Sequence, residues 1–163
     1  MISNYTKVYN NTKNKFKRIE NEGFTLIELL VVIGILTILL AITLVAINPS
    51  RQFSQANNTQ RRSDVNAILS AIHQYGADNN GDLTALGLGT TLPATNIDAA
   101  GVADMCAPLV PVYLAEMPVD PQTGSFTDCA TYDTQYSVSV GSSNRVTISA
   151  PDAELGEVID VTR

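Results

Sequence analysis

The chain has 163 residues, 45% hydrophobic and 16% charged, with a net charge of −6 and a mean hydropathy of +0.08. Those averages fit one ordinary domain, yet the charges are sorted: five cations precede Gly23, none of either sign lies between Leu29 and Ser50, and the part beyond Arg62 carries −11. An acidic outer part without clustered Lys or Arg excludes direct nucleic-acid binding, its apolar content excludes wholesale disorder, and one His with two Cys falls short of a four-ligand zinc site.

Residues 1–23 form a polar leader with no amphipathic period, and its cations are Lys7, Lys13, Lys15, Lys17 and Arg18. The run 24–47 is apolar except for Thr25, Glu28, Thr37 and Thr43. As a helix rising roughly 1.5 Å per residue it is long enough to cross the ~30 Å hydrocarbon layer. It shows no alternation that would favour a strand. Five cations precede the run, whereas Arg51, Arg61 and Arg62 follow it. This bias places the N-terminus in the cytoplasm and the remainder on the exported side.

Pro49 cannot donate a helical hydrogen bond, so a kink or break is expected there. Helical spacing then resumes, with Val65, Ile68, Leu69, Ile72 and Tyr75 on one face and Arg61, Asp64, Asn66, Ser70 and Gln74 on the polar side. Asp78-Asn79-Asn80-Gly81 supplies the stop. The expectation is one long, kinked helix from Phe24 to about Asn79, roughly 80 Å in length. No domain of this size covers such a helix, so its first half must pack on lipid or on other subunits.

Residues 81–135 read as an irregular, variable loop with one helical turn in Leu109–Met117. From Gln135 the period becomes two: Tyr136, Val138 and Val140, then the turn Gly141–Asn144, then Val146, Ile148 and Ala150. That is a β-hairpin, with a third strand at Val158–Val161. The expected fold class is α+β, with an amphipathic helix over 48–80 packed on a small antiparallel sheet over 136–163. Together they make an exported head spanning 48–163.

The stretch Gly23-Phe24-Thr25-Leu26-Ile27-Glu28-Leu29-Leu30 resembles the cleavage and methylation motif of type IV prepilins and of the pseudopilins of type II secretion. The resemblance is close over residues 17–47 and extends in character to 80. The head is similar only in outline, through Asp120-Pro121 and the segment Glu154 to Ile159. The fold that the resemblance implies is pilin-like. It also implies that a prepilin peptidase cuts between Gly23 and Phe24, methylates the Phe24 amine, and so frees the chain for assembly into a filament. The implied partners are that peptidase, identical or related subunits, an assembly platform with its ATPase, and membrane lipid before assembly. The implied location is a single-pass inner or plasma membrane with a cytoplasmic N-terminus, followed by an extracellular or periplasmic filament. Such a chain is a structural subunit rather than an enzyme, and neither cofactor nor metal is expected. Many relatives carry a proline near the position of Val45, where this chain has Pro49 four residues later.

Physical chemistry gives these residues matching roles. Gly23 lets an extended backbone enter a protease cleft closely. A carboxylate such as Glu28 inside an apolar run costs about 2.5–3.5 kcal/mol near the bilayer centre. Facing a neighbour's Phe24 amine at about 4 Å, it would gain roughly 4 kcal/mol at an effective dielectric of 20. Glu28 is therefore the expected register-setting residue of assembly, against the alternative of an acid that reaches back to the headgroups.

Cys106 and Cys129 fall in the exported head, where a bridge is compatible with the compartment and would contribute about 3 kcal/mol. Two reduced core thiols are the alternative. Asp152, Glu154, Glu157 and Asp160 invite comparison with a calcium loop seen in related pseudopilins, but the residue match is poor and an ordinary acidic loop is the preferred reading. Asp78–Asp82 lacks the glycine and glutamate positions of an EF-hand and is a helix stop. His73 has no accompanying nucleophile motif and belongs to a polar face or an interface. Thr37 and Thr43 can bond their own helix, and Gly34 alone makes no packing motif. The rival functional class is a membrane-anchored binding module that keeps an uncleaved signal-anchor. A released secretory protein fits less well, because the apolar run is too long and lacks a good small-residue cleavage site. With no cysteine before Cys106, a lipoprotein anchor is excluded.

Overall fold

The structure, a computed structural model, describes residues 23–163 and divides into two units at Ala46/Ile47. The expected leader lies outside the described residues, apart from Gly23. In the first unit, every residue of helix α1 (Leu26–Ile47) is exposed among the described residues. With 22 residues and Glu28 as its one charge, it is long and apolar enough to cross a membrane. Its two interior threonines are satisfied locally: Thr37 Oγ1 donates to the Ile33 carbonyl at 2.7 Å and Thr43 Oγ1 to that of Leu40 at 2.9 Å.

The continuous helix expected through residue 79 is in fact two. Helix α2 begins at Pro49 and runs to Asp78, with Asn48 in the left-handed region at φ 46°. A proline in the first turn loses nothing, since the N–H it lacks would have no helical acceptor there. The sequence stop holds at the other end, where the Asn79 backbone and side chain both donate to the Tyr75 carbonyl. Asn80 and Gly81 follow, both at positive φ.

The sheet has five antiparallel strands, β1 (Leu92–Asp98), β2 (Ser125–Asp128), β3 (Thr131–Val140), β4 (Val146–Ser149) and β5 (Asp160–Thr162). Its order is β1-β3-β4-β5, and β2 pairs with the first half of β3. The predicted hairpin is β3–β4, in register at Val138 with Ile148 and Val140 with Val146. On β3, alternate residues from Tyr132 to Val140 point into the core. The stripe of Val65, Ile68, Leu69 and Ile72 on α2 completes that core with Tyr136, Val138 and Ile148.

Several expectations shift. The supposed loop 81–135 holds β1, β2, the start of β3 and a short helix α3 (Cys106–Leu109). The helical turn therefore lies before, not within, Leu109–Met117: Val110 is extended, as a residue preceding proline should be. The third strand starts two residues later than expected, at Asp160. Arg61 and Asp64, assigned to the polar side of the helix, are buried.

Candidate functional site

At the start of the first unit, Gly23 and Phe24 precede the helix, and Phe24 is 83% exposed. Thr25 caps α1. Its backbone N–H donates to Glu28 Oε2 at 2.9 Å, its hydroxyl donates to the same oxygen at 2.7 Å, and the Glu28 N–H reaches Thr25 Oγ1 at 3.3 Å. This reciprocal arrangement is a capping box, and its signal, Thr-x-x-Glu ahead of an apolar run, is legible in the sequence. Glu28 therefore has donors inside its own chain. Phe24 and Glu28, one turn apart, line the same shallow groove with Ile27, Val31 and Val32.

The second unit is organised around Arg61. Its Nε lies 2.6 Å from Asp120 Oδ2, its Nη1 lies 3.0 Å from Glu154 Oε2, and its side chain is fully buried. Asn58 Oδ1 accepts from Nη1 at 3.1 Å. Asp120 also accepts from the backbone N–H of Gln122 and Thr123. Glu154 accepts from Ser54 Oγ at 2.8 Å and Asn57 Nδ2 at 3.0 Å, while its backbone exchanges two bonds with the Asn58 amide. Two successive turns of α2, Ser54 to Arg61, thus fasten two loops that lie far apart in sequence. Asp120 and Glu154, which carried the outline resemblance of the head, meet on one cation.

The electrostatics follow from these contacts. Burial alone would push the Asp120 carboxyl up, but Arg61 and the two backbone donors outweigh it and hold it below the usual range. Asn57, Ser54 and Arg61 hold Glu154 down likewise. Asp64 goes the other way: burial raises it, against opposing hydrogen bonds from Tyr136 and Gln60. Burial and the Asp64 carboxylate both push the Tyr136 phenol up.

Three of the four acidic residues singled out near the C-terminus are engaged within the chain. Glu154 belongs to Arg61, Glu157 pairs with Arg62, and Asp152 accepts from Thr123 Oγ1. Among the described residues no group of three His, Cys, Asp or Glu is placed to hold a metal. Cys106 and Cys129 form a disulfide with a Cα–Cα distance of 5.2 Å, joining α3 to the β2–β3 turn. His73 is exposed on α2. Sequence reading missed the role of Arg61, though its spacing to Val65, Ile68 and Ile72 places it on the apolar face.

Residues 20–44 match the family described as the prokaryotic N-terminal methylation motif, which is the signature of type IV prepilins and pseudopilins. No curated protein and no solved structure matches the chain.

Proposed function

We propose, from the N-terminal methylation motif at residues 20–44, that this chain is a prepilin or pseudopilin, a structural subunit that polymerises through α1. A prepilin peptidase removes residues 1–23 by cutting between Gly23 and Phe24, and methylates the new Phe24 amine. Before assembly α1 anchors the chain in a membrane with its N-terminus in the cytoplasm. An assembly platform and its ATPase then draw subunits into a filament whose outer surface is the acidic head.

One observation carries this reading: the motif leads directly into a 22-residue apolar helix, none of whose residues is buried among the described residues. Such a surface is stable only against lipid or other apolar helices. The head has a core of its own, built from residues within 65–159, so α1 is free to serve assembly. Glu28 is the register residue. Before assembly the Thr25 cap satisfies its carboxylate; in the filament a neighbour's Phe24 amine supplies the opposite charge. Electron microscopy of filaments from cells holding a prepilin peptidase and the assembly machinery tests this. The wild-type chain should give filaments, and Glu28→Val should be processed yet stay out of them. Equal filament yield from the two would remove the role of Glu28.

A further inference from the structure

Asp64 is a buried carboxylate without a cation among the described residues. It is 6% exposed, and its oxygens accept from two neutral groups, Gln60 Nε2 and Tyr136 Oη, each at 2.8 Å. A carboxylate has about four acceptor positions, so about half of its capacity stays unfilled. The guanidinium one turn away, Arg61, is occupied by Asp120 and Glu154. Buried charges are ordinarily paired, because desolvation without a counter-charge is costly. Asp64 forms part of an open groove of about 480 Å³ whose walls include Glu116 and the apolar Met117, Pro118 and Phe126. Its size is that of a ligand site. Two carboxylates beside an apolar wall suit a long cationic side chain, with its stem on the wall and its head at the acids.

The chain has candidates for that side chain. Among the described residues, Arg51, Arg145 and Arg163 make no ion pair. Arg51 lies in the first turn of α2, thirteen residues before Asp64. At 1.5 Å per residue that is about 20 Å along the helix, beyond the reach of a side chain. A chain therefore cannot place its own Arg51 in its own groove, but a parallel copy displaced by about that length can.

We propose that the Asp64–Glu116 groove is a contact between subunits, and that it receives the Arg51 guanidinium of a second copy. The inference rests on the filament reading above. It adds a contact between heads to the packing of α1, and it explains an unpaired arginine and an unpaired buried acid together.

Cysteine cross-linking in assembled filaments of the full chain tests it. The native Cys106 and Cys129 are already bonded to each other, and Arg51 and Glu116 are both exposed. Arg51→Cys combined with Glu116→Cys should give, on oxidation, a ladder of linked oligomers that neither single variant gives. Filaments without a ladder overturn the proposal, as does a ladder that forms instead when Glu116→Cys is combined with Arg145→Cys or Arg163→Cys. Charge reversal is the second measurement: Arg51→Glu should lower filament yield several-fold and Glu116→Arg should restore it. Wild-type yield from Arg51→Glu overturns the contact. If the wild-type chain itself forms no filament, the filament reading fails, and this inference falls with it.

Discussion

The Arg61 guanidinium grips the Asp120 carboxylate with two prongs, Nε to Oδ2 at 2.6 Å and Nη2 to Oδ1 at 3.2 Å, with both side chains withdrawn from solvent. The fork geometry is one that arginine provides and lysine does not. Removing one partner strands the other as an uncompensated buried charge. Arg61→Ala should therefore cost about 3 kcal/mol or more in head stability. Arg61→Lys, which keeps the charge but loses the fork, should fall in between. Thermal unfolding of the purified full chain in detergent reads both, and unchanged stability in Arg61→Ala would contradict the clip.

The same cluster sets a pH dependence. Asp120 and Glu154 are held below their ordinary values. They stabilise the fold above the unfolded carboxylate range, and that contribution is lost as pH falls through their folded values. Asp64 is raised, so its contribution is present at low pH and lost as pH rises through its folded value. The head should lose stability on acidification below about pH 4. In Asp64→Asn the opposing contribution is gone, so the loss should be steeper. Melting temperatures across pH 3–7 (roughly the carboxylate window) decide it, and identical profiles for the two proteins would contradict the assignment of Asp64.

The disulfide closes the segment from α3 to the β2–β3 turn, 23 residues apart in sequence. Replacing both cysteines by alanine should cost about 3 kcal/mol in the chain-entropy account. That corresponds to a melting temperature lower by roughly 10 °C. A shift of only a degree or two would show that the loop is held by its packing instead.

Gly124 is fixed by space rather than by backbone angle. A Cβ there would lie 2.5 Å from the Asp120 backbone nitrogen and 2.7 Å from Val119 Cβ. Gly124→Ala must push apart the turn that presents Asp120 to Arg61, at a cost of about 1–3 kcal/mol. Gly141→Ala, whose Cβ would meet nothing nearer than 3.9 Å, should stay within about 0.5 kcal/mol of wild type. Denaturant midpoints of the two variants compare them directly, and equal midpoints would contradict the close approach.

Helical structure on both sides of Asn48 and the β3–β4 hairpin are legible from a long, nearly uncharged apolar run, the 65–68–69–72 stripe and the alternation from Tyr136, whereas the pattern predicts a kink in one helix where the structure has two. β1 is not legible. Leu-Pro-Ala-Thr-Asn-Ile-Asp does not alternate, and its pairing with β3 is interrupted by two register shifts. β2 is four residues long with only Phe126 partly buried. The N-terminal site was legible as a motif because its residues are adjacent in sequence. The Arg61 clip draws Asp120 and Glu154 from 59 and 93 residues away, a juxtaposition that only the tertiary fold creates. The charge of Arg61 argues for the polar side of the helix, whereas its spacing to Val65, Ile68 and Ile72 puts it inside.

The chemistry of the N-terminus is the most direct test of prepilin processing. Mass spectrometry of the protein isolated from cells holding a prepilin peptidase should find a chain beginning at Phe24 with a methylated amine. Gly23→Leu, which puts a large side chain where the backbone must approach the protease, should remain at full length. A wild-type chain that keeps Met1, or that begins after Thr43, would contradict the prepilin reading.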